Sequence, residues 1–377
     1  ARLPVCFVRG EGARLWDTAG KEYLDFLSGL GVCNLGHCHP AVVEAVRAQV
    51  GTLIHTSNLY YNETQARLGA LLSELSGGYR AFFANSGAEA NEGAIKLARK
   101  WAKENRGADC VELITAVNSF HGRTMATLTA TGQDKVKKGF DPLVPGFRHV
   151  PFNHLAAVEA AITDRTVGVL LELVQGESGV HVANHEYVKG LSALCERHKL
   201  LLILDEVQCG MGRTGTLFTW QQYGVRPHIF TLAKAVAGGL PMGVVLAQPE
   251  VAAVFHPGDH ASTFGGTHLV CAAALAVLTT MRNERLPERA GELGAYFICR
   301  LLALRERHPQ IKEVRGLGLM VGVQLDTQDA RAVMLRCLER GLVLNAVGES
   351  ILRFLPPLIV THGEIDRAVA ILDETLP

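Results

Sequence analysis

The amino-acid sequence predicts an α/β fold, with a large domain built on a mainly parallel sheet covered by helices and a smaller α+β domain. Strand-like and helical runs alternate between Arg80 and Leu246, which is the pattern of strands joined by crossover helices. The strand-like runs are largely apolar, as expected of strands buried on both faces. After Gly266 the alternation stops. With 377 residues, the chain is long enough for two packed domains.

The chain opens with short strands and turns that end at Gly36-His37-Cys38-His39-Pro40. Pro40 suits the first turn of a helix, and valines recur on one face after it, which predicts a helix at Ala41–Val50. We expect residues 1–45 to belong to the small domain, residues 46–266 to form the large domain, and residues 267–377 to complete the small domain.

The predicted elements of the large domain alternate in type. Strands are predicted at Arg80–Ala84, Cys110–Thr115, Val167–Leu173, Leu200–Leu204, Ile229–Leu232 and Gly243–Ala247. Helices between them are predicted at Ala88–Asn105, Leu155–Ile162 and Tyr187–His198. Ligands of such sheets bind beyond the carboxyl ends of the strands, so polar residues at those ends are the first candidates for a site.

The predicted C-terminal elements mix helices and strands without regular alternation. Helices are predicted at Leu269–Arg282, Leu286–His308, Ala330–Arg340 and Gly363–Leu376. Strand regions are predicted at Val314–Leu325, which glycines interrupt, and at Ile351–Phe354.

Composition and charge exclude several classes of function. Apolar residues make up 48% of the chain and charged residues 20%, which supports a sizeable core rather than disorder. The formal net charge is zero, and no basic run is dense enough to bind nucleic acid. No apolar stretch is long enough to span a membrane, and the first residues do not resemble a signal peptide. Nine scattered cysteines fit reduced thiols, so we expect a cytoplasmic protein.

Asp205 and Lys234 are the strongest candidates for chemistry. Asp205 follows the apolar run Leu200–Leu204, where a buried carboxylate is costly unless a cation or strong donor meets it. A protonated pyridine nitrogen is such a partner. Lys234 lies among small and apolar residues, where desolvation lowers a lysine pKa and favours an imine. A helix-capping aspartate and a surface lysine are the alternatives for either residue alone, but the pair in this order favours pyridoxal phosphate chemistry.

Two turns after neighbouring strands offer further groups to such a cofactor. In Asn85–Asn91, Ser86 can cap the following helix, and Gly87 lets the backbone of the helix N-terminus approach a phosphate. After the next strand, Phe120 can stack on a pyridine ring and Arg123 can clamp a carboxylate. An ordinary strand–helix turn, a core aromatic residue and a surface arginine remain the alternatives for these segments taken alone.

Three charged residues lie among apolar residues in the sequence, where a charged side chain is expected to be paired or functional. They are Glu172 and Glu177, at the end of a predicted strand, and Arg353, inside a predicted strand near the C-terminus. Structural ion pairs remain an equal alternative for them.

Two patterns resemble known sites only superficially. Cys33, His37, Cys38 and His39 have metal-binding side chains without the spacing of a zinc site, so we expect no metal there. The run Gly316–Gly322 is one residue too long for a dinucleotide fingerprint and lacks a following βαβ unit, which favours a glycine-bent strand.

These residues together resemble those of the class III, fold type I aminotransferases, which depend on pyridoxal 5'-phosphate. The resemblance covers essentially the whole chain, and the motifs match in order and spacing. The matching segments are Gly36–Pro40, Asn85–Asn91, Ser119–Thr124, Gln175–Glu177, Asp205–Gln208, Gly212–Gly215, Lys234–Pro241 and Ser262–Gly266.

The resemblance implies a role for each residue around the cofactor ring. Lys234 would carry the cofactor as an imine, and Asp205 would pair with the pyridinium nitrogen. Val207 and Phe120 would sandwich the ring, and Gln208 would approach its phenolic oxygen.

The resemblance also implies how the phosphate is held. Gly87 and Ala88, next to the capping Ser86, would bind it through backbone N–H groups. Thr263 of the partner subunit would reach the same phosphate, so the resemblance implies a homodimer with shared active sites.

For the substrates, the resemblance implies an amino donor and 2-oxoglutarate bound in turn. Arg123 and Arg353 would bind carboxylates. Glu177 would neutralise Arg353 while the amino donor is bound and would swing away for 2-oxoglutarate.

Within the family, the chain is most similar to the members that transfer the terminal amino group of N2-acetylornithine to 2-oxoglutarate in arginine biosynthesis. Leu30 stands where ornithine-specific members tend to carry a tyrosine, which favours an acylated donor. Leu173 replaces a usual proline, and Thr267-His268 replace a usual Asn-Pro. The alternatives are N-succinyl-diaminopimelate, N-acetyllysine, ornithine or 4-aminobutyrate as donor, an aminomutase that needs no second substrate, and a non-catalytic cofactor-binding protein.

Overall fold

A computed structural model of the chain describes residues 2–326 and 328–376. Ala1 and Pro377, the outermost residues of the predicted small domain, and Thr327 lie outside the described residues. The strands are β1 (Phe7–Glu11), β2 (Arg14–Asp17), β3 (Glu22–Asp25), β4 (Arg80–Ala84), β5 (Glu112–Ala116), β6 (Phe147–Val150), β7 (Thr166–Glu172), β8 (Val174–Gln175), β9 (His181–Val182), β10 (Leu201–Asp205), β11 (Ile229–Leu232), β12 (Gly243–Ala247), β13 (Ile311–Leu317), β14 (Met320–Leu325), β15 (Leu342–Val343), β16 (Asn345–Val347) and β17 (Ile351–Phe354).

The helices flank these strands and connect them. They are α1 (Ser28–Gly31), α2 (Pro40–Val50), α3 (Glu63–Ser76), α4 (Gly87–Asn105), α5 (Met125–Ala130), α6 (Asp134–Lys137), α7 (Leu155–Ala161), α8 (His185–His198), α9 (Trp220–Tyr223), α10 (Pro249–Ala252), α11 (His268–Asn283), α12 (Leu286–Arg307), α13 (Ala330–Glu339) and α14 (His362–Thr375), with a 3-10 turn at Lys234–Ala237.

The central sheet confirms the predicted fold class. Within the described residues it has seven strands in the order β4-β12-β11-β10-β7-β5-β6. The pairs β11–β10, β10–β7, β7–β5 and β5–β6 are parallel, and β12 runs antiparallel to both of its neighbours. Every residue of β7, β10 and β11 is buried, which explains why these segments are apolar almost throughout.

The register of the sheet brings polar residues together at one edge. Asp205, the last residue of β10, lies opposite Glu172 at the end of β7 and opposite Thr231 on β11. Because these strands are parallel, their carboxyl ends share one rim. The fold therefore places two carboxyl groups side by side at the position where a ligand is expected.

Helix α4 packs on the sheet next to this rim. The Ser86 side chain caps it by accepting a hydrogen bond from the N–H of Glu89 at 3.1 Å. Its buried face carries small residues, Ala90, Ala94 and Ala98, so the helix can approach the strands closely.

Two smaller sheets are built from the ends of the chain. One has the order β1-β2-β3-β15 and joins the N-terminal strands to a strand near residue 342 through the parallel pair β3–β15. The other has the order β13-β14-β17-β16 and is antiparallel. The division into residues 1–45, 46–266 and 267–377 stays a prediction.

Arg213 connects the central part of the chain to its C-terminal part. Its guanidinium is fully buried and donates hydrogen bonds to the carbonyl oxygens of Leu319 (3.1 Å) and Pro356, and to Oδ1 of Asn34 at 2.5 Å. Burial lowers the pKa of Arg213 to about 9. A buried cation therefore holds three distant segments together through uncharged acceptors.

The predicted elements differ from the observed ones mainly at their ends. Strands predicted at 110–115, 167–173 and 200–204 are each shifted by one or two residues, and those at 80–84, 229–232, 243–247 and 351–354 are confirmed. The glycine-interrupted strand region predicted at Val314–Leu325 is confirmed as strand, but the interruption at Gly318, where φ is 54°, is a turn that makes β13 and β14 an antiparallel hairpin rather than one bent strand. Helix α3 and strand β6 were not predicted. No helix within the described residues has the length and apolar character needed to cross a membrane.

Candidate active site

A cavity of about 420 Å³ opens at the carboxyl ends of the central strands. The predicted site residues that line it are Ser86, Gly87, Ala88, Phe120, Arg123, Glu177, Asp205, Val207, Gln208 and Lys234. Glu172 lines it as well, and Arg353 contacts it through Glu177. The structure thus collects residues from six separated segments into one site.

The first turn of α4 forms one end of this cavity. The N–H groups of Gly87 and Ala88 belong to the turn whose donors have no partner within a helix. A Cβ atom at Gly87 would lie 2.7 Å from Cγ1 of Val207, so only glycine allows this close approach. Free donors and the positive end of the helix dipole make this end of the cavity a site for a phosphate group.

Asp205 is held by three hydrogen-bond donors. Its Oδ2 accepts from Nδ2 of Asn91 at 2.7 Å and lies 2.8 Å from Nδ1 of His121, and its Oδ1 accepts from the N–H of Val207 at 3.0 Å. Asn91 is itself oriented by the hydroxyl of Thr231, which donates to its Oδ1 at 2.8 Å. These donors fix the orientation of the carboxyl group, so Asp205 is positioned to meet a cation in the cavity.

Two further buried carboxyl groups lie beside Asp205. Burial and the neighbouring charge of Asp205 raise the pKa of Glu172 well above its ordinary value, although the N–H of Phe120 donates to it at 2.8 Å. Burial raises the pKa of Glu206 to about 8. Both carboxyl groups therefore favour the protonated form more than an ordinary glutamate does.

Lys234 begins the 3-10 turn after β11 with a positive φ of 46°, which turns its side chain into the cavity. Within the described residues, Nζ makes no hydrogen bond or ion pair. Burial lowers the pKa of Lys234, against the opposing charges of Glu177 and Asp205. A lysine that is desolvated and unpaired is suited to act as a nucleophile and as a base.

Phe120, Val207 and Gln208 form the walls between these groups. Phe120 and Val207 both line the cavity, as does the amide of Gln208. Oε1 of Gln208 is buried and has no hydrogen-bond partner among the described residues. Its position next to the cavity leaves an acceptor available to a bound molecule.

Beside the cavity, the buried Arg353 forms an ion pair with the partly exposed Glu177. Nη1 of Arg353 donates to Oε1 of Glu177 and to the carbonyl oxygen of Gly176, both at 2.8 Å, and Nε donates to Oδ1 of Asn345 at 2.9 Å. Burial alone would raise the pKa of Glu177, but the charge and hydrogen bond of Arg353 lower it. The guanidinium is 1% exposed, so Glu177 masks it in this structure.

Arg123 lies at the mouth of the cavity and is exposed. Its guanidinium carbon lies 5.6 Å from the ring centroid of Phe120, and it makes no hydrogen bond or ion pair within the described residues. The helix that follows it, α5, is held at its N-terminus by Glu92, whose Oε1 accepts from the hydroxyl of Thr124 at 2.6 Å and from the N–H of Ala126 at 3.0 Å. The structure therefore leaves one cation free at the entrance.

Thr263 does not reach the cavity of its own chain. It is exposed on a loop that Asn58 holds through hydrogen bonds to the carbonyl oxygens of Ser262 (2.8 Å) and Gly265 (3.1 Å). A contact from Thr263 to a bound phosphate would have to come from a second chain.

Sequence reasoning missed three residues that position the site: Asn91, His121 and Asn345. Asn91 lies one helical turn after Gly87, on the face of α4 that meets the cavity, and this spacing could have identified it. His121 follows Phe120 directly, but its hydrogen bond to Asp205 joins residues far apart in the chain, and no local pattern reveals it. The same holds for the contact of Asn345 with Arg353.

The two superficial motifs have other structural roles. His37 pairs with the buried Asp25, with Nε2 and Oδ2 2.7 Å apart, and this partner raises the pKa of His37 to about 10. Among the described residues, no group of three or more histidine, cysteine, aspartate or glutamate side chains is arranged to hold a metal ion. The glycine-rich run 316–322 forms the hairpin of β13 and β14.

The residues present fit a flat aromatic phosphate ester with a basic ring nitrogen and an aldehyde. The helix N-terminus at Gly87 offers donors to the phosphate, Asp205 offers a carboxylate to the nitrogen, and Lys234 offers an amine to the aldehyde. The unpaired acceptor on Gln208 and the apolar side chains of Phe120 and Val207 in the cavity lining complete the complementarity.

Comparison with known proteins agrees with this geometry. The family model described as aminotransferase class III matches residues 1–376. The acetylornithine aminotransferase of Caldanaerobacter subterraneus subsp. tengcongensis is 53% identical over 375 residues, with 100% of this chain and 95% of that protein covered. The crystal structure of ornithine aminotransferase from Toxoplasma gondii superposes with a TM-score of 0.96 at 35% identity, covering 100% of this chain and 91% of that one. The acetylornithine aminotransferase structure from Elizabethkingia anophelis gives 0.90 at 37% identity, covering 100% and 94%.

Proposed function

This chain belongs to the class III aminotransferases, which are pyridoxal phosphate enzymes, and from that premise we propose that it transfers the terminal amino group of N2-acetylornithine to 2-oxoglutarate. The observation that carries the proposal is the difference between two arginines of the site. Glu177 covers the guanidinium of Arg353, whereas the guanidinium of Arg123 is exposed at the mouth of the cavity. An enzyme with two unlike substrates needs one carboxylate site that is always available and one that can be covered.

The cofactor would be held by groups at both ends of the cavity. The N–H groups of Gly87 and Ala88, in the turn capped by Ser86, would bind the phosphate. Asp205, oriented by its three donors, would keep the ring nitrogen protonated. When bound, pyridoxal phosphate supplies an electron sink for the negative charge that develops on the amine-bearing carbon of the substrate.

Lys234 performs the acid–base work. Burial lowers the pKa of Lys234 and so favours the neutral amine, which would take a proton from the amine-bearing carbon and return one later. The raised pKa values of Glu172 and Glu206 disfavour a second negative charge beside Asp205. Phe120, which shields the cavity, also helps to exclude water from these transfers.

The two arginines separate the two half-reactions. N2-acetylornithine carries its reacting amine far from its carboxylate, so Arg123 at the mouth would bind that carboxylate while Glu177 covers Arg353. Glutamate and 2-oxoglutarate carry a carboxylate on the reacting carbon, so Glu177 would move aside and Arg353 would bind it bidentately. Arg123 would then hold the distal carboxylate.

Leu30 supports an acylated donor over free ornithine. Its side chain is 40% exposed, and its carbonyl oxygen lies 3.4 Å from Nε2 of Gln208, a residue of the cavity. The aliphatic side chain offers no hydrogen bond to a free α-amino group. N-succinyl-diaminopimelate, N-acetyllysine, ornithine and 4-aminobutyrate are the alternative donors, and an aminomutase is the alternative reaction.

We further propose a homodimer in which Thr263 of the partner subunit completes the phosphate site. Thr263 is exposed here, and the adjoining segments expose Leu59 (87%), Tyr61 (108%) and Phe264 (62%), which is unusual for large apolar side chains on a free surface. Mixing inactive Lys234→Ala and Thr263→Asp chains tests this. Random pairing in a two-fold dimer with shared sites restores about a quarter of wild-type activity, and no recovery would contradict the shared site.

Three further expectations concern the domain division, the cellular compartment and the pathway. Residues 1–45 and 267–377 would form the small domain and residues 46–266 the large one, which the pairing of β3 with β15 supports. The enzyme would work in the cytoplasm and in arginine biosynthesis.

A panel of amino donors with 2-oxoglutarate as acceptor tests the proposed function. We expect the highest kcat/KM for N2-acetylornithine, measured by the glutamate formed. A higher kcat/KM for any of the four alternative donors would overturn the donor assignment. Repeated turnover of the donor without 2-oxoglutarate, beyond one equivalent per active site, would indicate an aminomutase instead.

A further inference from the structure

Glu177 lies on a tight loop between β8 and β9, and both ends of this loop are held by arginines of the C-terminal sheet. Nη1 of Arg353 donates to the carbonyl oxygen of Gly176 at 2.8 Å. At the other end, Nε of Arg315 donates to the carbonyl oxygen of Gly179 at 2.9 Å. The loop therefore has two backbone anchors in addition to the ion pair of its glutamate.

The two arginines stand in one row of that sheet. Arg315 on β13 lies opposite Gly322 on β14, and Gly322 lies opposite Arg353 on β17. Directly opposite residues of antiparallel strands place their side chains on the same face, so both arginines leave one face with a glycine between them. A Cβ atom at Gly322 would come within 3.0 Å of the carbonyl oxygen of Gly179. The loop thus lies directly against bare backbone.

The end of the loop is conformationally strained. Val180 has a φ of 61°, a left-handed conformation that is unfavourable for a β-branched residue. Its side chain is fully buried and would lie 3.1 Å from a Cβ atom at Gly322. Such a conformation persists only where the surrounding structure fixes it, and here the row of Arg315, Gly322 and Arg353 does so.

Arg315 is not available to a substrate. Its Nη1 pairs with Glu313 at 2.6 Å, its Nη2 lies 3.4 Å from Oε1 of Gln324, and its side chain is 11% exposed. It does not line the candidate active site. Any effect it has on catalysis must pass through the loop.

We propose that Arg315 is a positioning residue for the Glu177–Arg353 pair, and that Gly322 is the platform on which the two arginines clamp the loop. The inference rests on the proposed function and deepens it. With Gly176 and Gly179 anchored, the loop backbone stays in place when Glu177 leaves Arg353, and only the glutamate side chain moves. The clamp thereby returns the carboxylate to the same position for each amino donor.

Arg315→Met removes the anchor at Gly179, and single-turnover spectroscopy of each half-reaction measures the result. We expect the rate ratio of the N2-acetylornithine half-reaction to the glutamate half-reaction to fall about tenfold, the scale of one lost charge-assisted hydrogen bond. Arg315→Lys, which keeps a donor, should recover part of the ratio. Gly322→Ala, which lifts the loop and keeps both arginines, should lower it. Arg340→Met, which breaks an exposed ion pair with Glu374, should leave it unchanged.

Two further measurements separate positioning from general damage. Hydrogen exchange of the amides at residues 177–180 should become faster in Arg315→Met but not in Arg340→Met. In a Glu177→Gln background, Arg315→Met should change the ratio less than about twofold, because coupled residues are non-additive.

An unchanged exchange rate in Arg315→Met, or an unchanged ratio, would overturn the clamp. Additive losses in the double variant would overturn it too. The exchange experiment needs no substrate, so it remains decisive if N2-acetylornithine proves a poor donor. In that case the rate ratio is measured with the preferred ω-amino donor in place of N2-acetylornithine, and only the proposed donor is refuted.

Discussion

Replacing Arg353 with alanine should damage the two half-reactions very unequally. In the structure its guanidinium is 1% exposed and donates to Glu177, Gly176 and Asn345. For the glutamate half-reaction the variant loses a buried contact to the carboxylate on the reacting carbon. Truncating such a charge pair costs about 2–5 kcal/mol, which corresponds to a loss of roughly 30-fold to several thousand-fold at about 1.4 kcal/mol per factor of ten.

The N2-acetylornithine half-reaction should suffer much less. There Arg353 is covered by Glu177 and touches no substrate, so the variant loses only the positioning of the loop and leaves one carboxylate without its cation. We expect a loss below about tenfold, consistent with indirect rather than direct contact.

Stopped-flow spectra of the two cofactor forms measure each half-reaction separately. Arg123→Ala is the matched control, because Arg123 would bind a carboxylate in both halves and its loss should lower both rates alike. If Arg353→Ala lowers both rates equally, the masking of Arg353 by Glu177 plays no part in substrate choice and the reasoning is refuted.

Three other outcomes test the site and its support. Lys234→Ala should abolish both turnover and borohydride-trapped cofactor, and trapped label in that variant would remove Lys234 from the covalent role. Asp205→Asn should retain cofactor, as measured by equilibrium binding, but lose several kcal/mol of transition-state stabilisation, since a neutral partner cannot hold the ring nitrogen protonated; near-normal kcat would show that another group does so. The folded-state pKa of His37, about 10, lies above its ordinary 6.5, so its pairing with Asp25 stabilises the fold fully below about pH 6.5 and progressively less as pH rises towards 10. The difference in Tm between wild type and His37→Asn should therefore shrink from pH 7 to pH 10, and a constant difference would contradict the ion pair.

The central sheet and its two most important side chains could be predicted from sequence because their signals are local. Buried parallel strands are apolar along their whole length, and Asp205 and Lys234 stand out against that background. Strand β6 (Phe147–Val150) lacks this signal. It lies at an edge of the sheet, and polar side chains interrupt its apolar residues. Helix α3 has Leu68 and Leu72 on its buried face and a capping residue before it. Its sequence therefore does carry a local helical signal.

The electrostatics of the site could not be predicted in the same way. Two of the three donors to Asp205 come from α4 and from the turn after β5, which only the folded sheet brings together. The hairpin turn at Gly318 could not be predicted either, because the need for glycine there comes from a residue distant in sequence. A Cβ atom at Gly318 would lie 2.6 Å from the backbone of Thr214. The hydrogen bonding of Asp205 and the turn at Gly318 both depend on contacts between residues distant in sequence, which local sequence patterns do not predict.

The buried guanidinium of Arg213 has a consequence for how the molecule comes apart. Arg213 lies between strands of the central sheet, and its acceptors are an amide from a segment before that sheet and carbonyl oxygens from two segments after it. If one of these segments detaches alone, the buried guanidinium of Arg213 loses a hydrogen-bond acceptor. The free-energy cost of an incompletely paired buried cation is far larger than that of an unmade neutral hydrogen bond. Partial opening of the C-terminal segment is thereby discouraged, and the chain is expected to melt in a single cooperative step rather than piece by piece.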